Sequence, residues 1–389
     1  MTASPKTMVT AEPEGPARER AFEEALTTLH ERRDEFNEQG YVPQDFIDQL
    51  KRAGIYRAST PARFGGDAQA PAEFLERIEK ISVVDAATGW VASFGSALCY
   101  FAALPLETQA EIYADGPDLV FAAGLFPLQE AERVEGGYSC TGVWQFASGS
   151  HAADILGVGL KGGPETQGRP VTALLKPEQA EIVANWDVSG MKATGSNEIH
   201  LDGVFVPDEY TFIRGGTPLV DEPLYRYPSL SYAAQVLAVT GLGAARAALD
   251  YSREVGSART SITGGRAKGA RPSYQMELAT AEAELRSARS FFYEETDRVW
   301  QLAVAGDPID AETTALLRLA TSHIAHVSRK VVLACFDLAG TGAIYNSHPL
   351  QRCLRDALVP AQHAMLQTNT IEAAGAVLLG ADVTIPSFP

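Results

Sequence analysis

The sequence predicts an α+β fold in three parts: an N-terminal helical domain, a middle β-barrel or sandwich domain, and a C-terminal four-helix bundle. Three observations carry this. Apolar residues recur at helical spacing through roughly the first 115 residues. Short β-prone runs cut by Gly, Pro and Asp follow. The helical period then returns in long segments with short connections. With 389 residues, 46% hydrophobic and 21% charged, the chain has material for a large core, which excludes collagen-like, disordered and mini-protein classes.

Taken in order, residues 1–18 read as a frayed arm because Pro, Glu and Ala alternate there without an apolar face. The helical domain spans 19–118: Ala21, Leu26 and Leu29, then Phe46, Ile47 and Leu50, sit at helical spacing, Thr60 to Gly66 breaks the pattern with Pro and paired Gly, and a second helical stretch runs from Pro71 through Ala103. Residues 119–225 form the β-domain, with runs such as LVFAAGLF, GVWQFASG and IHLDGVFVP between turn residues. Residues 226–389 form the bundle, whose fourth helix is expected from Leu350 to Leu379.

Charge and cysteine usage narrow the function. Thirty-two Lys and Arg against 49 Asp and Glu give a net charge of -17, which repels a phosphate backbone and argues against nucleic acid as a partner. Cys99, Cys140, Cys335 and Cys353 contain no C-x-x-C pair, so neither a disulfide scaffold nor a structural zinc site is expected, and a reducing, cytoplasmic setting is. The N-terminus has no apolar h-region and no stretch gives 18 consecutive apolar residues, so neither secretion nor a membrane span is expected.

Specific residues reinforce the helix, β-insert, bundle order. Gly190-Met-Lys-Ala-Thr-Gly-Ser-Asn-Glu-Ile-His-Leu-Asp-Gly-Val-Phe-Val-Pro207 resembles the "GM-R-x-T-x-S…V-x-V-P" strand pair of the acyl-CoA dehydrogenase superfamily. Phe64-Gly-Gly66 resembles its N-terminal aromatic-Gly-Gly turn, and Arg352-Cys-Leu-Arg355-Asp356 its last-helix Arg-Asp. The resemblance spans about residues 20 to 380 and implies a flavin held between β-domain and bundle. Trp144-Gln-Phe146-Ala-Ser148-Gly149-Ser150-His151 is similar to the family's "W-I-T/S-N-G" strand, which implies cofactor contacts from Trp144, Phe146, Ser148, Gly149 and Ser150, with the Ser148 hydroxyl against flavin N5. The residues alone also allow Trp144 and Phe146 to be inward-facing strand residues and Ser148 a turn cap.

Departures from the family pattern choose the branch. A dehydrogenase needs a carboxylate base in a "Tyr-Glu-Gly-Thr" segment after the Arg-Asp. This chain reads Ala361-Gln-His363-Ala-Met365 there, and the alternative position, in Ser231 to Ala245, holds no acid. The run Ala131-Glu-Arg-Val134-Glu-Gly136-Gly137-Tyr138, then Gly142-Val-Trp144-Gln-Phe146-Ala-Ser148-Gly149, is similar to the oxygenase components of two-component flavin-dependent monooxygenases. That branch implies reduced FAD, with FMN as the alternative, supplied by a separate reductase. The flavin reacts with O₂ to a C4a-hydroperoxide that oxygenates an aromatic or indole-like small molecule. His363 takes the role of the substrate's base, and Ser148 that of the acceptor for flavin N5-H.

Where many hydroxylases of the branch carry a histidine after Gly-Trp-Val, this chain reads Gly89-Trp90-Val91-Ala-Ser93-Phe94-Gly-Ser96, so Ser96 or Tyr100 is expected to do part of its work at the substrate, with His151 at the flavin edge. Ser257-Ala-Arg259-Thr resembles an "R-x-x-F-G" turn, which implies Arg259 at the flavin pyrophosphate of a neighbouring subunit and a homotetramer; the apolar Val331 to Phe336 agrees. His323 and His326 read as bundle packing rather than a metal site, and Gly241-Leu-Gly243, within a helical pattern, as a close helix approach rather than a dinucleotide fingerprint. Three function classes follow: the monooxygenase, a flavin dehydrogenase or N-oxygenase on the same scaffold, and a flavin-free interaction module.

Overall fold

The structure, a computed structural model, describes residues 15–257 and 268–383. The N-terminal part comprises α1 (Gly15–Gln39), α2 (Gln44–Arg52), α3 (Pro71–Val84), α4 (Ala86–Ser93), a 3₁₀ stretch Phe94–Ala103, and α5 (Leu106–Ile112). Gly15 to Arg18, expected in the arm, are helical; Arg18 is fixed by an ion pair to Asp67 at 3.0 Å. Asp85 starts α4 by accepting the Thr88 backbone N–H at 2.8 Å, satisfying a donor that the first turn leaves open.

Eight strands follow: β1 (Phe121–Gln129), β2 (Glu132–Val134), β3 (Gly137–Ala147), β4 (Ile155–Leu160), β5 (Val171–Leu175), β6 (Glu181–Val183), β7 (Asn197–Pro207) and β8 (Thr211–Phe212). They form one open mixed sheet in the order β6-β7-β3-β1-β4-β5-β8, with β2 on the rim of β3. The only parallel pairing among the described strands is β1 with β4. Its halves share a core of Ala122, Trp144, Leu156, Val158, Ala173 and Ile199, so the expected barrel or sandwich is met as a folded sheet that does not close.

The C-terminal part contains α6 (Pro223–Arg226), α7 (Ser229–Ser257), α8 (Pro272–Ala305), α9 (Ala311–Ala339), α10 (Pro349–Ala357) and α11 (Thr368–Leu378). The helix expected from Leu350 to Leu379 is thus broken. Pro360 cannot donate to a helical ladder and opens a 3₁₀ turn, and the chain runs irregularly through His363 before α11. Gly243 lets α7 lie against α3: a Cβ there would stand 2.4 Å from the Ser82 Cβ. Ala86–Ala103 and Ser229–Ser257 are long and apolar, and 89% and 83% of their apolar windows are buried as core. Val331, Val332 and Cys335, expected at an interface, are likewise spent inside the chain; Leu333 is left 39% exposed.

Candidate active site

The end of β3 brings the chemistry together. Ideal alternation would place Trp144, Phe146 and Ser148 on one face. Phe146 instead has φ of 64°, a left-handed conformation costly for an aromatic residue and typical of functional sites. The turn leaves the Phe146 ring 62% exposed, edge-on to Trp186 at 6.2 Å, and sends Ser148 inward, where it is buried. Trp144, expected against the cofactor, is wholly inside the β-domain core with Nε1 donating to Gly159 O at 2.7 Å. That expectation is corrected: its ring has no face left for a ligand.

Ser148 heads a chain of hydroxyls whose polarity is forced. Thr194 Oγ1 donates to Met191 O at 2.8 Å, and a carbonyl can only accept. With that proton committed, Ser196 Oγ, 2.7 Å from Thr194 Oγ1, must be the donor between those two. Ser196 then has none left for Ser148, 2.7 Å away, so Ser148 donates to Ser196. The remaining lone pairs of Ser148 are acceptors. The anchor is rigid: Met191, itself at φ 55°, donates its N–H to Asp356 Oδ1 at 2.6 Å, and its carbonyl also takes Trp186 Nε1–H at 3.2 Å. Burial, with the charge of Asp85 nearby, pushes the Asp356 carboxyl up to about 7. The family-like Asp356 and the Met191 to Ser196 segment thus act on Ser148 through the backbone.

Gly149 (φ 76°) gives its N–H to Thr194 O at 2.8 Å and lies against α4, where a Cβ would stand 3.4 Å from Val91 Cγ1. Ser150 Oγ reaches Gly195 O at 3.4 Å. Beside Val91, the Trp90 ring meets His363 edge-on at 6.0 Å. His363 lies not on a helix but in the irregular link after Pro360, and its Nδ1 accepts the Met365 N–H at 3.3 Å. The neutral ring therefore carries its proton on Nε2 and donates. Burial first, then the charges of Arg214 and Arg318, hold its pKa down at about 4. So placed, the neutral His363 ring presents its Nε2–H as a hydrogen-bond donor.

The other expected residues divide. Tyr100 is buried, stacked on Phe212 at 6.2 Å, with its hydroxyl donating to Ser229 O at 3.4 Å. The Arg214 guanidinium carbon stands 5.7 Å from its ring centroid. Ser96 spends its hydroxyl on Ser93 O, 2.8 Å away in its own 3₁₀ turn, which leaves it no proton for a substrate. His151 stacks on Tyr41 at 4.3 Å and accepts from Asn197 Nδ2 at 2.9 Å, a join between the β-domain and the N-terminal helices. Arg259 lies outside the described residues. His326 meets Leu366 O at 3.0 Å, and His323 meets the edge of Phe291 at 6.4 Å.

Sequence reasoning missed Ser196, Thr194, Trp90 and Arg214 as site residues. Thr194-Gly-Ser196 lay inside the segment that carried the resemblance, and two hydroxyls two residues apart were its available signal. The residues present fit a flavin: a buried hydroxyl oxygen with its own proton committed elsewhere can accept from a reduced ring's N–H, a glycine keeps the approach beside it open, and the exposed Phe146 with Trp186 offers apolar planar surface.

Comparison with known proteins agrees. The family "Acyl-CoA dehydrogenase, C-terminal domain" matches residues 235–368. The chain is 48% identical over 364 residues to an indole-3-acetate monooxygenase of Pseudomonas putida, covering 92% of this chain and 93% of that protein. It is 32% identical to the oxygenase component of an FADH(2)-dependent resorcinol hydroxylase of a Rhizobium species, covering 85% and 86%. The crystal structure of 3-HSA hydroxylase from a Rhodococcus species has the same fold, with a TM-score of 0.89 at 24% identity over 95% of this chain and 99% of that one. The chain belongs to the flavin-dependent monooxygenase oxygenase components of the acyl-CoA dehydrogenase superfamily.

Proposed function

We propose that this enzyme oxygenates an indole-like aromatic acid, with indole-3-acetate as its first substrate to test, using reduced FAD delivered by a separate reductase. The single observation that carries this is the polarity of the Thr194, Ser196, Ser148 hydroxyl chain, which leaves Ser148 an acceptor that would suit the N–H of a reduced flavin. The bound reduced flavin supplies the electrons that activate O₂. Ser148 orients the ring by accepting from it. Trp90 and the Phe146 face exclude water, and His363 Nε2–H donates to the substrate or to the oxygen being transferred.

FAD is favoured over FMN by the FADH(2) dependence in the Rhizobium relative's name, and the indole-like substrate by the Pseudomonas relative's name at 48% identity. A homotetramer is part of the proposal, supported by Ile344 and Tyr345, apolar residues that are 63% and 68% exposed. So are a cytoplasmic setting and Arg259 at a neighbour's flavin. Asp356 is engaged with Met191 N rather than free to act as a dehydrogenase's carboxylate base.

The test is one turnover: protein, reduced FAD or reduced FMN, indole-3-acetate and O₂, with product read by mass spectrometry. Incorporation of one oxygen atom is expected, and faster with FAD. Hydrogen peroxide alone across a panel of indoles and phenols would reject the reading.

A further inference from the structure

We infer that the Arg214 guanidinium anchors a carboxylate on the aromatic substrate and makes the site selective for aromatic acids over their neutral counterparts. This rests on the reading of the site as one for aromatic oxygenation and adds the residue that chooses among aromatics.

Arg214 follows β8 by two residues and is half-buried. Its guanidinium lies over the Tyr100 ring, 5.7 Å from the centroid, and Phe212 stacks on that same ring at 6.2 Å. An arginine laid on an aromatic floor is pre-organised and has less freedom to lose on binding. Tyr100 is no counter-ion: it donates to Ser229 O, and burial pushes its ionisation well above the usual phenol range.

What Arg214 lacks is an acid. Among the described residues no carboxylate comes within 4.0 Å of it, although acids outnumber bases 49 to 32 in this chain. A guanidinium that is only half-buried and has no carboxylate beside it keeps its donors available to a ligand's carboxylate. A second cation points into the same region. Arg318 of α9 donates from Nη2 to Met365 O at 3.2 Å, and Met365 N bonds His363. The charges of both arginines bear on His363 and Tyr100.

The region therefore links aromatic rings, Trp90 beside His363 and Tyr100 stacked on Phe212, with a neutral donor in His363 and a positive end at Arg214. That matches a flat ring carrying a short acidic arm. A flavin phosphate would satisfy the same guanidinium, so the experiment separates the two sources.

Dissociation constants are measured anaerobically, in the presence of reduced FAD, for indole-3-acetate and for its neutral amide, with wild type, Arg214→Gln and Arg214→Lys. The expected result is a wild-type preference for the acid of at least tenfold. That preference is lost in Arg214→Gln through weaker acid binding with unchanged amide binding, and partly restored in Arg214→Lys. Equal weakening of acid and amide, or unchanged acid binding in Arg214→Gln, overturns the anchor. So does a tenfold loss of reduced FAD affinity with acid binding intact, which assigns the guanidinium to a phosphate. Arg214→Lys guards against a folding artefact. If wild type binds neither indole and oxygenates neither, the functional reading itself falls; wild-type binding of both with no acid preference overturns the anchor alone.

Discussion

Ser196→Ala tests the polarity argument where it is sharpest. The substitution removes a buried hydroxyl that accepts from Ser148 and donates to Thr194, each at 2.7 Å, without touching the face proposed to meet the flavin. Ser148 then has an uncommitted proton and can donate as readily as it accepts. A hydrogen bond of this kind has a net worth of about 1 kcal/mol, and about 1 to 3 if a buried partner is left unsatisfied. Reduced flavin carries a proton on N5 and oxidised flavin does not, so the loss falls on the reduced form while the freed Ser148 proton favours the oxidised one. The ratio of the two dissociation constants, measured anaerobically and in air by ultrafiltration, should move about tenfold toward oxidised flavin. In potential terms this is about 30 mV for a two-electron couple. Ser196→Thr should restore the ratio. If Ser148→Ala shifts the ratio and Ser196→Ala leaves it unchanged, the relay does not set the acceptor and the reasoning fails.

Three further outcomes follow from named contacts. His363→Ala should retain reduced-flavin binding while losing substrate oxygenation on the order of 10² in single-turnover experiments, with His363→Gln recovering part of it as a donor; full activity in the alanine variant would make the imidazole structural. Trp144→Phe should cost about 1 to 3 kcal/mol in urea unfolding by stranding Gly159 O, yet leave flavin affinity unchanged, as its burial in the β-domain core requires. Stability against pH should show two opposed contributions. His363 sits near 4 folded and about 6.5 unfolded, so its contribution is full above the unfolded value and is lost as pH falls toward 4, on the order of 3 kcal/mol in all. Asp356, raised to about 7, contributes stability below its unfolded value of about 3.9 that is lost as pH rises through 7. Thermal melts from pH 4 to 8 of His363→Gln and Asp356→Asn should each remove one slope and expose the other.

Element types were legible because each rests on local periodicity: the helical spacing of Phe46, Ile47 and Leu50, and the strand alternation around Val204 and Val206, survive without tertiary information. Two failures were local too. The reading of a continuous last helix ran across Pro360, a residue that ends helices by its own chemistry. The assignment of Trp144 and Phe146 to one face assumed unbroken alternation, and the left-handed backbone at Phe146 reversed it. The rest lay beyond local signal. Ser148 and Ser196 are 48 residues apart and meet only because β3 pairs with β7. Arg214 looks like any surface arginine before paired glycines until the fold lays it over Tyr100, more than a hundred residues earlier.

A cationic anchor in an acidic protein has a kinetic consequence that can be measured. The net charge is -17, so an anionic substrate approaching from solvent is expected to meet repulsion before it can feel a half-buried guanidinium. The screening length is about 8 Å at physiological ionic strength and about 30 Å at 0.01 M. Raising salt across this range therefore removes the surface field first and weakens the short-range Arg214 contact much less. The association rate of indole-3-acetate, followed by stopped-flow fluorescence, should rise several-fold with salt while its dissociation rate stays nearly constant, and the neutral amide should show neither change. An acid association rate that falls with salt would mean that the positive field of the Arg214 region reaches past the surface and steers the substrate in, the reverse of what the net charge predicts.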